Sequence, residues 1–309
     1  MPTHVLTTDF SIPAPPDFNF WRTVYSHGWC ALPPFSLDEA AKTLQRILTL
    51  SEGTLVRCIL SEKGQSVHVL ASCRTPLSRR HLREATDQLR TCLRLDEKFS
   101  EFHHEARRYP QYRWIASSGS GRMLRSPTAF EDVVKMICTT NCTWALTTLM
   151  VTNLVQYAGK KFDGSMPDFP DAGRVAGLSE KTLRTRIKAG YRAPFLLQLA
   201  QEVAAGRLDI EEWTTSRLET EEMYDRMRAV KGIGPYAAGN LLKLVGRYDY
   251  LGLDSWVRSK YCELYHDGRR VKDSTIEKRY KRYGRWRGLF FWLEMTRDWH
   301  EGKSRIYGK

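Results

Sequence analysis

No apolar run in this sequence reaches the roughly 18 residues that a membrane-crossing helix needs, and the first residues lack a secretory pattern. Internal repeats are absent, as are low-complexity tracts beyond one short Ser/Gly stretch. Cysteine is sparse and odd in number: Cys30, Cys58, Cys73, Cys92, Cys138, Cys142 and Cys262 form no disulfide framework. That usage fits a reducing, intracellular compartment. Cys138 and Cys142 stand four apart, as on one helix face, but no second Cys or His pair completes a zinc site. A membrane protein, a secreted disulfide scaffold and a zinc module are therefore set aside, and no cofactor is expected. Acidic residues are also in deficit, with 35 Asp and Glu against 48 Lys and Arg, for a net charge of +13.

A basic surface serves solubility in general. It also favours a polyanionic partner, because each phosphate that Lys or Arg neutralises releases condensed counterions. The distribution of the charge is informative. Between Arg258 and Lys309 stand 15 Lys and Arg but 7 Asp and Glu, interleaved with Tyr261, Tyr265, Tyr280, Tyr283, Trp286, Phe290, Phe291, Trp292 and Trp299. Aromatics at that density indicate packed helices with one cationic face, not a disordered basic arm.

The 309 residues suffice for two cores. Residues 2–34, rich in Pro and aromatics, read as an extended lead-in. Apolar, β-branched runs follow at 44–50, 55–60 and 67–71, separated by turn signals at Glu52-Gly53 and Lys63-Gly64-Gln65, so a small antiparallel sheet is expected. A helix over 78–95 carries Leu82, Ala85, Leu89 and Cys92 on one face. The Ser-Ser-Gly-Ser-Gly segment at 117–121 marks a domain boundary or a mobile loop beside one. Beyond it the pattern stays helical: two helices within 130–157 around a break at 139–143, then helices over 179–190 and 193–205, and another capped by Thr220. The expected architecture is an α+β N-terminal domain over residues 1–120, followed by an all-α domain over 121–309.

The sharpest local signal is Lys231-Gly232-Ile233-Gly234-Pro235-Tyr236. A helix ends near Val230, the two glycines make a tight turn, and Pro235 opens a new helix, where its missing N–H is no loss. Glycines there permit close backbone approach, and the amides at the new helix start can face a phosphate. A Gly-X-Gly turn between helices also serves as plain structural punctuation. One helix later comes Leu253-Asp254-Ser255-Trp256. Asp254 can cap the following helix, and a carboxylate at a helix start facing a cleft can equally stabilise a cationic sugar and activate water.

The hairpin followed by this aspartate resembles the helix–hairpin–helix DNA glycosylases, in which the corresponding aspartate is the catalytic residue. Residues 128–141 resemble the helix that opens the catalytic domain of that superfamily. Asn141 matches the asparagine that 8-oxoguanine glycosylases insert into the gap left by a flipped nucleotide, and Gly190-Tyr191-Arg192-Ala193 resembles a segment of the same enzymes that lies against the DNA. The resemblance runs from about Arg122 to Trp299, with three separated segments in family order. It implies a monomeric enzyme that binds double-stranded DNA containing a damaged base. Lys231, Gly232 and Gly234 would anchor phosphate, with the hairpin a place for a monovalent cation. Asn141 and Tyr191 would act as the wedge, Arg192 would contact the opposite strand, and Asp254 would carry catalysis. Tyr236, Trp144, Trp256 and Trp286, with Trp292, are the aromatic candidates for the base pocket. Tyr191 and the tryptophans, at helical spacing, also suit a core.

Two departures refine the resemblance. Bifunctional members carry a lysine two residues after the second hairpin glycine, and Tyr236 stands there. Without that amine the Schiff-base route loses its nucleophile, which points to the monofunctional branch, of the 3-methyladenine type, acting on alkylated or otherwise modified purines. No four-cysteine cluster follows the hairpin, so no iron–sulfur cluster is expected. The alternatives are a glycosylase/lyase of the 8-oxoguanine type with a displaced lysine, and a non-catalytic phosphate clamp.

Overall fold

The computed structural model describes residues 5–162 and 166–301. Three cations of the basic tail, Lys303, Arg305 and Lys309, lie outside them. The chain begins with β1 (Leu6–Pro13) and the short helix α1 (Phe20–Val24), followed by β2 (Phe35–Asp38), β3 (Thr43–Thr49), β4 (Leu55–Lys63) and β5 (Ser66–Cys73). These form one antiparallel sheet in the order β1-β5-β4-β3-β2. Val56, Cys58 and Leu60 of β4 alternate inward and meet Val67, Val69 and Ala71 of β5, with Cys58 opposite Ala71 and Leu60 opposite Val69. Two strands had not been expected: β1, within the lead-in, and β2, just after it. Both lie at sheet edges, and β1 buries only Ile12, so neither carries a strong alternation of apolar residues.

Helix α2 (Arg79–Leu93) starts at Ser78, whose hydroxyl accepts from the His81 N–H, and buries Ala85, Leu89, Cys92 and Leu93. Gln88 ties it to the end of β3 by donating to the Thr49 carbonyl, 3.0 Å. After α3 (Ser100–Arg107) and α4 (Arg113–Ser117), the 117–121 segment is packed rather than loose: Ser120 is buried and its carbonyl accepts from His103, 2.8 Å.

The remaining elements are helical: α5 (Ala129–Thr139), α6 (Trp144–Ala158), α7 (Ala172–Ala176), α8 (Glu180–Thr185), α9 (Ala193–Ala204), α10 (Thr220–Ala229), α11 (Pro235–Leu244), α12 (Ser255–Tyr265), α13 (Asp273–Tyr280), α14 (Arg287–Met295) and α15 (Arg297–His300). A five-stranded antiparallel sheet followed by helices is the α+β-then-α order expected. One cap differs. Glu219 precedes α10, while Thr220 is already helical and turns its hydroxyl to Asp249, 3.1 Å.

The sheet is joined to the helices by charge as well as by apolar packing. Arg46 on β3 grips Glu131 on α5 with both terminal nitrogens, 2.8 and 2.5 Å, and Lys135 reaches the same carboxylate at 2.6 Å. All three are buried. At the other end of the chain, Trp286 and Phe290 close on Phe102 of α3, with ring centroids 5.1 and 5.0 Å away. The aromatic tail is thus a packed part of one continuous core. Among the described residues no helix is long and apolar enough to cross a membrane.

Candidate functional site

The turn between α10 and α11 begins where Val230 leaves helical geometry. Gly232 adopts φ +92°, a region that L side chains rarely enter, and an added Cβ would lie 3.0 Å from Phe195. Ile233 is buried and pins the turn. Gly234 is extended and open, with nothing within 4 Å of a Cβ placed on it, and Pro235 takes the first helical position. Among the described residues the N–H groups of Gly232 and Gly234 have no backbone partner. With exposed Lys231 beside them they form a small cationic cradle suited to an anion.

Helix α11 leads to the segment that returns across it. Gly252, at φ +66°, crosses so close that an added Cβ would lie 2.8 Å from both the Asn240 amide and the Lys243 ammonium. Asp254 follows as the N-cap of α12, its Oδ1 accepting from the Val257 N–H at 2.8 Å. Burial raises its pKa above the ordinary value for an aspartate. The N–H groups of Val257 and Trp256, then Arg258 and Lys243, oppose that shift. Tyr236, in the first turn of α11, is pushed up to about 12 by burial and by the nearby Asp254 charge, against a hydrogen bond with Thr139. It is a neutral phenol at any physiological pH.

The opposite rim is the break between α5 and α6. Asn141 sits there at φ +47°, a conformation its short amide side chain tolerates. Its Nδ2 donates to the Tyr191 hydroxyl, 3.4 Å, and that hydroxyl donates to the Thr140 carbonyl, 3.3 Å. Tyr191 is 47% exposed, whereas Arg192 beside it is 3% exposed. The Arg192 guanidinium is spent on the Thr140 carbonyl and hydroxyl and lies 4.4 Å from the Tyr191 ring centroid. Arg192, expected at the opposite strand, is turned inward here and braces the rim.

A cleft of about 820 Å³ joins these pieces. Asn141, Tyr191, Lys231, Gly232, Gly234, Tyr236 and Asp254 all line it. Arg228, Arg258 and Phe195 line it too. Sequence reasoning missed these three. Arg258 was visible four residues after Asp254, but only the fold turns it toward the cleft while its Nε donates to Asp273, 2.7 Å.

The tryptophans expected around a base do not line this cleft. The Trp144 ring packs against Gly28, so closely that a Cβ there would stand 2.2 Å from it. Trp256 is exposed and stacks on Trp299 with centroids 5.1 Å apart. Trp286 stacks on Tyr248 within the core, 5.4 Å, and Trp292 donates to the Ser26 carbonyl, 2.9 Å. Trp144, Trp286 and Trp292 serve packing, Trp256 stacks at the surface, and of the aromatic candidates only Tyr236 lines the cleft. Among the described residues no three His, Cys, Asp or Glu side chains are gathered as a metal site.

No protein-family model and no curated protein matches the sequence. Solved structures do match. The 3-methyladenine DNA glycosylase of Archaeoglobus fulgidus aligns with a TM-score of 0.72 at 19% identity, over 93% of this chain and 98% of that one. The chain has the fold of the helix–hairpin–helix DNA glycosylases. The apo 8-oxoguanine glycosylase/lyase of Clostridium acetobutylicum aligns almost equally, with a TM-score of 0.71 at 18% identity over 94% and 98% of the two chains. The same enzyme, in complex with double-stranded DNA containing cytosine opposite 8-oxoguanine, aligns at 0.61 and 18% over 85% and 99%. Within this fold, the turn and Asp254 occupy one cleft whose rim carries an exposed tyrosine and asparagine. These similarities are to both glycosylase branches and favour neither.

Proposed function

We propose that this protein is a monofunctional DNA glycosylase that extrudes a modified purine from duplex DNA and hydrolyses its N-glycosidic bond. One observation carries the reading. Asp254 faces the hairpin cleft, and the position two residues after Gly234, where an amine would attack the sugar, is a phenol. The glycosidic carbon is shielded within a duplex, so the nucleotide must leave the stack. The Gly232 and Gly234 amides with Lys231 would hold a phosphate, and Arg228 and Arg258 add positive charge along the cleft. Tyr191 and Asn141, braced by Arg192, would fill the space the nucleotide vacates.

Departure of the base leaves an oxocarbenium-like sugar. A carboxylate held in a half-buried site stabilises that charge more than one in bulk water and can orient the attacking water. Asp254 must be ionised to do so. Because burial raises its pKa, base release should fall on acidification at a pH above that of an ordinary aspartate.

The test is release of free base from duplexes that each carry one lesion: an alkylated purine, a deaminated purine or 8-oxoguanine. Borohydride is added in parallel. Release from at least one modified purine, without trapping and with strands intact until alkali, is expected. Tyr236→Lys should then gain weak trapping, since an amine would stand beside Asp254. Efficient trapping by the wild-type protein would make it a glycosylase/lyase, and binding without release would make it a clamp.

A further inference from the structure

Lys243 has no part in the cleft, yet it is the most unusual group near it. Its neighbours on α11, Leu241, Leu242 and Leu244, are buried apolar residues, and a leucine would suit its place equally well. Instead an ammonium is fully enclosed, which is costly when no carboxylate touches it. Among the described residues none forms an ion pair with it, and its acceptors are neutral: the Leu251 carbonyl at 2.7 Å, Asn240 Oδ1 at 3.2 Å and the Gly239 carbonyl at 3.3 Å. Asn240 completes the arrangement by donating to the Gly252 carbonyl, 3.3 Å. Two consecutive carbonyls, three and two residues before Asp254, are thereby held against α11.

We infer that Lys243 is a positioning residue for Asp254, clamping the 251–254 segment from beneath and setting a positive charge behind the carboxylate. The inference rests on the proposed role of Asp254. Asp254 is the carboxylate that couples electrostatically to Lys243. From the other elements, Arg94 donates to the Lys243 and Leu244 carbonyls, and buried His27 feels the Lys243 charge. Arg258 acts on Asp254 from α12 and Tyr236 from α11. Burial pushes Lys243 down to about 7 while the Asp254 charge pulls the other way. Gly252 is required for the same reason: any side chain there would meet the ammonium.

The test compares Lys243→Met, which removes donor and charge, with Lys243→Gln, which keeps a donor. Single-turnover base release should fall about tenfold or more for Lys243→Met, because small displacements of a catalytic group cost one to two orders of magnitude. The loss should be smaller for Lys243→Gln. Affinity for undamaged duplex should be unchanged, and in both variants the acidic limb of the pH–rate profile should move to higher pH. Folded variants with wild-type rates and an unmoved limb would overturn the proposal. A second measurement needs neither variant nor activity: the Lys243 ζ-nitrogen is titrated by NMR in the wild type and in Asp254→Asn. The midpoint should fall when the carboxylate is removed. An unchanged midpoint overturns the coupling even if the protein releases no base at all.

Discussion

Among the described residues two lysines are buried, one touching a carboxylate and one not. Lys135, where the sheet meets α5, touches Glu131 at 2.6 Å, and Arg46 holds the same carboxylate. Burial alone would raise Glu131, but Arg46 and Lys135 outweigh it and bring it down to about 2. Lys243 has only neutral acceptors, and burial brings it to about 7. The first region sets two cations against one carboxylate at contact distance, and burial still lowers Lys135. The second leaves its charges underpaired: Asp254 is raised, Lys243 is lowered, and Tyr236 is held neutral beside them. Asp254 and Tyr236 line the cleft and Lys243 lies enclosed beneath Asp254's segment, so these displaced groups cluster where chemistry is proposed.

Asp254 is also the N-cap of α12, and a cap alone would need no charge. Asn is as good an N-cap as Asp, so Asp254→Asn should leave α12 and the melting temperature intact. It should lower single-turnover base release by roughly 10³-fold, the scale of one preorganised electrostatic contact, with DNA affinity kept or improved. Near-normal release would reduce Asp254 to a helix cap.

At the joint the expected outcome is reversed. Glu131→Gln leaves Arg46 and Lys135 buried without their counter-charge and should cost about 3–5 kcal/mol of stability, read from urea unfolding at pH 7. Any folded fraction should release base at the wild-type rate per molecule. The sign of the pH dependence follows from the lowered pKa. Glu131 binds a proton more readily unfolded than folded, so its contribution is complete above its ordinary pKa, 4.5, and is lost as pH falls toward about 2. The wild type should therefore lose stability over that window, and Glu131→Gln should lose much less. Equal acid sensitivity in the two proteins would contradict the pairing.

The smallest effect belongs to the hairpin. Gly234 has negative φ and open space around it, so Gly234→Ala should fold normally. Its methyl group would meet only an incoming phosphate, weakening binding to damaged and undamaged duplex alike by about 1 kcal/mol or less, the scale of one lost neutral hydrogen bond. Gly232→Ala is the less clean variant, because positive φ and Phe195 would strain the turn itself. An unchanged affinity for Gly234→Ala would remove the turn from the DNA interface.

Local sequence determined the local structure. The Gly-Ile-Gly-Pro run forms the turn where expected, Ser78 caps α2, Asp254 caps α12, and the alternating runs of β4 and β5 pair with inward Val, Cys, Leu and Ala. Each depends on backbone geometry and burial periodicity within a few residues, which is the information a linear sequence carries. Asn141, Tyr191, Tyr236 and Asp254 stand out through the resemblance of their motifs, in order, to one family, and the fold sets them around one cleft. Which side chains reach the cleft was decided only by tertiary packing. Adjacent in sequence, Tyr191 and Arg192 part into solvent and core because Thr140, from another helix end, captures the guanidinium. Trp144, Trp256 and Trp286 carry the same apolar signal whether they line a pocket or fill a core, and their partners, Gly28, Trp299 and Tyr248, come from distant or unpredictable turns of the chain. Lys243 is enclosed because the 251–254 segment folds over it, and desolvation depends on what covers a charge and not on its neighbours in sequence.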